Sequence, residues 1–368
     1  MAQALYRKYR PKKLEDVLGQ ELNVEILKNA AKSGRLGQAY IFHGSRGTGK
    51  TTTARLLAKL LNCEKRRTDP AFAALGEPCN ECRECREIDA QNSFDVIEID
   101  AASNRGIDEI RNLKENIRTS PISAASKVYI IDEAHMLTGA AFNALLKTLE
   151  EPPRHAVIVM ATTEYEKLPA TITSRAQRFT FKKPSKITIV EKLASIAKAE
   201  KIKIDEAALE LIAAAGEGSF RDAISLLDQI ASLGMAKIDL ATAERITGRT
   251  GMKKIHELAA LILAKDLKGG LEYISLLNDE GYNLTQFMKD LIHYLRKVLS
   301  LKINPTLENT FEKELTRDEI AAAKKLAADA DAAFLVRLIK MLIRAYSEMR
   351  YSPFAIVPFE IALVENLS

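Results

Sequence analysis

Long apolar runs are missing from this sequence. None approaches the ~18 residues that a membrane span requires, and the N-terminal MAQALYRKYRPKK lacks the apolar centre of a secretory signal. A soluble, cytoplasmic protein with no membrane contact is the expectation. Charge of one sign is scarce as well: 54 basic residues nearly cancel 49 acidic ones, leaving +5. Any nucleic-acid contact therefore has to use a local stripe rather than a polycationic surface. Aromatic residues make up only 6%, with no tryptophan, and they form no stripe of the kind on which single-strand binders stack bases. Cysteine is confined to positions 63, 79, 82 and 85 of 368, a clustering that a disulfide framework in a chain this long would not produce. Internal repeats and low-complexity linkers are absent too. Hydrophobic and charged shares of 47% and 28% are those of an ordinary globular protein.

What is present divides into an α/β part and a helical part. The length exceeds what one compact core accommodates, so two or three domains are expected. Short β-branched runs, AYIFH from Ala39, DVIEID from Asp95, KVYIID from Lys127, AVIVMAT from Ala156 and QRFTF from Gln177, alternate with helical patterns. Strands spaced by helices predict a parallel sheet with helices on both faces. From about Lys186 the strands stop. EAALELIAAAGEG, SFRDAISLLDQIASLG and IDLATAERITG form a small helical group ending near Gly248, and a larger one runs from Met252 to the end. The expected partition is an α/β domain over 1–180, a small helical domain over 181–248 and an all-α domain over 249–368.

The strand AYIFH leads into GSRGTGKT, followed by the helical TTARLLAKLL. Glycines at 44, 47 and 49 let the backbone of Gly44, Ser45, Arg46, Gly47, Thr48 and Gly49 wrap phosphates. Lys50 can reach the β and γ phosphates, Thr51 can hold Mg²⁺, and Thr52 continues the helix whose N-terminus faces the anion. A chance glycine loop is the competing reading, and the strand before and helix after argue against it. KVYIID closes in DEAH, where Asp132 can hold magnesium through water and Glu133 can orient or deprotonate the attacking water. A solvated acidic loop is the alternative there, and His135 reads as a hydrogen-bonded loop residue. AVIVMATT ends in Thr162 and Thr163, hydroxyls that can feel a γ-phosphate or merely end a strand. Arg221, in GEGSFRDAISLLDQ, can reach phosphates or serve a surface pair at a helix start.

Cys63, Cys79, Cys82 and Cys85 are spaced C-x15-C-x2-C-x2-C in an insertion over 63–85. Four thiolates so arranged suit a tetrahedral, closed and therefore structural Zn²⁺ site, against the alternative of reduced, partly buried thiols. Arg175, in TITSRAQRF, has nothing acidic within several residues, which raises the question of the anion it meets.

Phosphate loop, DEAH, terminal threonines, SRxxxF and GxxRD, in that order, resemble the AAA+ ATPases. More narrowly, YRKYRPKKLEDVLGQE, HGSRGTGKTTTARLLAKLLNC, IDAASNRGIDEIR, DEAHMLTGAAFNALLKTLEEPP, ATTEYEKLPATITSRAQRF and GSFRDAISLLDQ are similar to the gamma/tau subunit family of bacterial DNA polymerase III clamp loaders. The match covers residues 1 to about 235, with SRA in place of the SRC usual in that group. The resemblance implies an ATPase motor that uses ATP to open a sliding clamp and load it on primer-template DNA, within a pentameric ring joined by a helical collar. It makes 181–248 a lid and 249–368 the collar. It implies that Arg175 is an arginine finger acting in trans on the adjoining protomer's γ-phosphate, that Tyr9, Arg10, Pro11, Val17 and Leu18 wrap the adenine and ribose, and that Arg221 reports on the phosphates. Ser103, Asn104 and Arg105 are candidates for DNA backbone contacts. Ending at ENLS after the collar fits a short form or a truncated chain, a longer form adding helicase and polymerase contacts. A DEAH helicase would need a second ATPase-like domain. A branch-migration type ring motor and a non-hydrolysing scaffold are the other rivals, the latter disfavoured by an intact Lys50, Asp132 and Glu133.

Overall fold

The computed structural model describes residues 3–104, 113, 115–311 and 315–367, with the side chains of Asn309 and Arg317 outside that set. The chain divides into two compact units: 1–184 together with Gly218–Arg221, and Ser185–Glu217 together with 222–368. Among the described residues, no helix is long and apolar enough to cross a membrane.

The first unit is built on a parallel sheet, β1 (Ala39–Gly44), β2 (Val96–Asp100), β3 (Lys127–Asp132), β4 (Ala156–Thr162) and β5 (Gln177–Phe181), in the order β2-β3-β4-β1-β5. All five lie where the β-branched runs predict them. Strand residues alternate between two apolar layers, as a period of two requires. Tyr40, Phe42, Val128, Ile130, Val157 and Val159 pack with Leu56, Leu57 and Leu60 of one helix. Ile41, Tyr129, Ile131, Ile158 and Met160 pack on the other face with Phe142, Leu145 and Leu149. The main helices of this unit are α1 (Glu21–Lys32), α2 (Lys50–Asn62), α3 (Arg83–Ala90) and α4 (Gly139–Glu150). Because every strand runs the same way, the carboxyl ends of β1, β3 and β4 reach one edge, with His43 paired to Thr162 and Ile131 to Met160. Ligands of open α/β sheets bind at that edge.

A buried carboxylate fixes the entry to β2. Asp95, fully buried, accepts the amides of Ile122, Ser123 and Ala124 at 2.8 to 3.0 Å. Burial pushes its carboxyl up, but those three amides outweigh it and hold the group below its ordinary range.

The second unit is helical, with one isolated bridge between Ile204 and Ile238 among its described residues. It comprises α5 (Lys186–Ala199), α6 (Glu206–Ala215), the body of α7 (Phe220–Ala231), α8 (Leu240–Thr247), α9 (Met252–Leu263), α10 (Leu267–Asp279), α11 (Leu284–Ile303), α12 (Arg317–Asp329), α13 (Ala332–Met349) and α14 (Ile356–Leu367). Phe287, Leu291, Leu295, Leu338, Leu342 and Phe359 lie in one continuous core of its C-terminal part. Ion pairs join the earlier helices to that part. Glu217 accepts from Arg249 at 2.6 Å and Lys289 at 2.9 Å, and Lys186 reaches Glu210 at 3.1 Å and Glu319 at 3.4 Å.

Candidate nucleotide-binding site

The phosphate loop has the backbone its glycines promise. Gly49 caps α2 at φ +101°, and Gly47 sits at φ +71° with Phe220 donating its amide to the Gly47 carbonyl at 3.2 Å. A Cβ at Gly47 would collide with the side chain of Ser219, so both conformation and close approach demand glycine there. Lys50 Nζ donates to the carbonyls of Gly44 at 2.9 Å and Ser45 at 2.8 Å. Thr48 is buried and ties the loop to itself, Oγ1 donating to the Ser45 carbonyl at 2.9 Å. Arg46 is exposed, while Ser45, Thr51 and Thr52 are half-buried.

Burial pushes the Lys50 ammonium down. Glu133 and Asp132 oppose that shift, and Arg221 adds to it. Arg221 thus lies close enough for its charge to be felt at Lys50, and the structure groups it with the first unit rather than with the helices that surround it in sequence. Cations beside a cradle of loop amides at a helix N-terminus suit an anionic ligand such as a polyphosphate.

Thr51 Oγ1 donates to Asp132 Oδ2 at 2.9 Å, bringing together the two residues suited to magnesium. The next residue, Glu133, takes φ +48° and donates its amide to Asp132 Oδ1 at 3.0 Å. Such a conformation is uncommon for a residue with a Cβ. It directs the Glu133 carboxylate to Thr163, whose hydroxyl donates to Oε2 at 3.0 Å. Thr162 is fully buried and bonds His135 Nδ1 at 2.9 Å, while His135 Nε2 meets Glu164 at 3.2 Å. His135 is therefore the hydrogen-bonded loop residue expected of it, and of the two threonines it is Thr163 that reaches the acidic pair.

Val17 is buried and faces the loop, its Cγ1 3.8 Å from where a Gly49 Cβ would lie. Tyr9, Arg10 and Pro11 are half-buried after the short helix Leu5–Lys8, and Leu18 is 36% exposed. Two residues that sequence reasoning missed hold this segment. Gln20 donates to the Lys182 carbonyl at 2.8 Å and accepts the Lys182 amide at 3.2 Å, and buried Glu77 accepts the amides of Leu14 at 2.7 Å and Glu15 at 3.2 Å. Gln20 sits within the quoted LGQE, a usable signal; Glu77 carries none.

Arg175 meets an anion within its own chain. It follows the helical turn Ala170–Thr173 and pairs with Glu150, the last residue of α4, at 2.7 Å. The separation of 25 residues hid this partner from a search of the local sequence. Ser103 and Asn104 form a turn after β2, bonded to Asp100 at 3.1 and 3.0 Å, while Arg105 lies outside the described residues.

The four cysteines converge. Their sulfurs all lie within 4.8 Å of one another, and no disulfide joins them. Cys63 ends α2, Cys82 opens α3, and amides of Glu81 and Cys82 point at Cys79 Sγ from 3.4 and 3.3 Å. The thiol of Cys85, then the Cys79 amide, favour a thiolate at Cys63 and hold it well below the ordinary thiol range. Sulfurs in this arrangement, with amides aimed at them, fit a tetrahedral ion such as zinc. Lys59 of α2 donates to Asn80 at 2.9 Å and pairs with Asp89, tying the cluster to the helix that starts at the phosphate loop.

Parallel sheet, phosphate loop, acidic strand end and adjacent threonine together have the arrangement of a P-loop nucleotide-binding domain. Residues 19–185 match the family model described as DNA polymerase III, delta subunit; 188–235 match the clamp loader subunit ATPase lid domain; 238–367 match domain III of DNA polymerase III subunits gamma and tau. The DNA polymerase III subunit tau of Bacillus subtilis is 42% identical over 99% of this chain and 63% of its own length. Subunit gamma of Buchnera aphidicola is 34% identical over 100% of this chain and 98% of its own. Among solved structures, the Thermotoga maritima RuvB Holliday junction branch migration motor is similar over 69% of this chain and 79% of that one, with 18% identity and a TM-score of 0.48. The chain belongs to the gamma/tau family of DNA polymerase III subunits. It spans less than two thirds of the length of the Bacillus subtilis relative.

Proposed function

We propose that this chain is an ATPase motor subunit of a replicative clamp loader, using ATP binding and hydrolysis to open a sliding clamp and place it on primer-template DNA. The observation that carries the reading is the pairing of Thr51 with Asp132 and of Glu133 with Thr163 at one sheet edge. Lys50 and the loop amides bind the phosphates, with Tyr9, Arg10, Pro11, Val17 and Leu18 around the base and ribose. Thr51 and Asp132 would hold Mg²⁺, which would supply charge neutralisation at the phosphates. Glu133 takes the proton of the attacking water, Thr163 orients it, and Arg221 senses the phosphates. Arg175 completes the adjoining protomer's site in trans.

In this reading 181–248 acts as a lid and 249–368 as the collar of a pentameric ring in the cytoplasm. The four cysteines hold a structural Zn²⁺. Ser103, Asn104 and Arg105 contact the DNA backbone, because a loader has to work at any sequence. ATP stabilises the assembled form with high affinity for clamp and DNA, and hydrolysis releases both.

The test is ATPase activity of the chain alone and mixed with clamp, primed DNA and the other loader subunits. Strong synergy is expected. Turnover indifferent to all of these, or directional unwinding of forked DNA, would overturn the assignment.

A further inference from the structure

The guanidinium of Arg175 is held on two sides. Its Nε and Nη2 both donate to Oε1 of Glu150, at 3.0 and 2.7 Å. Its Nη1 donates to the Thr171 carbonyl at 2.7 Å and to Ser174 Oγ at 3.2 Å. The Arg175 and Glu150 side chains are 34% and 48% exposed, and an ion pair so open to water adds little to the stability of a fold. Its effect is geometric. A guanidinium offers a side-on edge, Nε with Nη2, and an end-on edge, Nη1 with Nη2, and each can meet an oxyanion. Glu150 occupies the side-on edge and Thr171 and Ser174 hold Nη1, so a second anion reaching the end-on edge meets the remaining N–H of Nη2 and takes the place of Ser174 Oγ, the longest of these bonds, on Nη1.

We propose that Glu150 is a positioning residue for Arg175, fixing the side-on edge so that the end-on edge is presented to the γ-phosphate on the adjoining protomer. The inference rests on the trans finger reading given above. Glu150 sits at the end of α4, whose Leu145 and Leu149 are buried in the core beside the sheet. It therefore ends a helix packed into the core, whereas Arg175 follows a helical turn of four residues. Locking a long side chain in advance removes rotamer freedom that would otherwise be lost in the transition state. Because a single carboxylate oxygen receives both bonds, a neutral amide oxygen in the same place can receive them too. Position and charge are thus separable by substitution.

The experiment uses the assembled complex with clamp and primed DNA, and compares Glu150→Ala, Glu150→Asp, Glu150→Gln, Arg175→Ala and the Glu150→Ala/Arg175→Ala pair. Glu150→Ala is expected to lower kcat about tenfold with KM for ATP unchanged, the pattern of lost orientation rather than lost binding. Glu150→Asp, which withdraws the oxygen by one methylene, falls in between. Glu150→Gln keeps most of the rate, and the double variant is no slower than Arg175→Ala alone. Wild-type rates in Glu150→Ala, faster turnover, or a Glu150→Gln as slow as Glu150→Ala would each overturn the positioning role while leaving the finger intact. Wild-type turnover by Arg175→Ala would instead remove the finger reading, and this inference with it.

Discussion

The hydroxyl of Thr51, on the first turn of α2, donates to the carboxylate of Asp132, at the end of β3, across 2.9 Å. One residue comes from the phosphate loop and the other from a strand two places away in the sheet, separated from β1 by β4. Their meeting brings a hydroxyl and a carboxylate oxygen together, the ligand type that magnesium prefers.

Substituting this pair tests the site. Asp132→Asn is expected to lower Mg²⁺-dependent ATP hydrolysis by about a hundredfold or more, since the metal and the adjacent Glu133 both lose their alignment. Titration with Mg²⁺ at saturating ATP is the measurement. A variant with wild-type turnover at low Mg²⁺ would exclude Asp132 from the metal site.

Loss of the finger is expected to act across the boundary between protomers. Arg175→Ala should reduce hydrolysis by the assembled complex on the order of a thousandfold or more, with a much smaller change in the isolated chain. Steady-state ATPase assays of both preparations decide it. An equal loss in both would place Arg175 in its own subunit's site instead.

Removal of the metal is predicted to loosen the first unit. A strong chelator, or Cys82→Ser, should lower its melting temperature, and the purified chain should carry one zinc per polypeptide by elemental analysis. Zinc ligands couple directly to folding free energy, and here Cys63 and Lys59 extend that coupling into α2. An unchanged melting curve after verified metal loss would leave the cluster without a structural role.

Asp95 should make stability fall in acid. Burial raises its carboxyl, but the amides of Ala124, Ser123 and Ile122 prevail and leave the folded pKa below the unfolded one. Its contribution is therefore present above the ordinary carboxylate range, near about 3.9, and is lost as pH falls through the folded value. Asp95→Asn should destabilise by about 2 kcal/mol at neutral pH. Denaturant titrations should show variant and wild type converging below pH ~4. Curves that stay parallel well below that pH would show that the carboxylate's charge is not what holds residues 122–124.

Much of this protein was legible before any coordinates. AYIFH, KVYIID and AVIVMAT announced buried strands because their periodicity and branching are local properties. GSRGTGKT announced its loop because positive φ angles and close backbone approach leave few residues admissible. The cysteine cluster was visible because three of its four members fall within seven positions. Less legible were the contacts that make the site operate: Glu150 on Arg175, Glu77 on the 14–15 turn, Gln20 bracing Lys182, and the Gly218–Arg221 segment lying with the phosphate loop.

The sequence by itself thus determined which segments become strands, which loop can cradle phosphate and which sulfurs can share a metal, since each depends on chemistry within a short window. Only the tertiary structure decided that Arg175 finds Glu150, that Thr163 rather than Thr162 faces Glu133, and that Arg221 presses its charge on Lys50. Those partners are brought together by strand order and helix packing, and the free energy that sets that order is spread over the whole core rather than written in any one stretch.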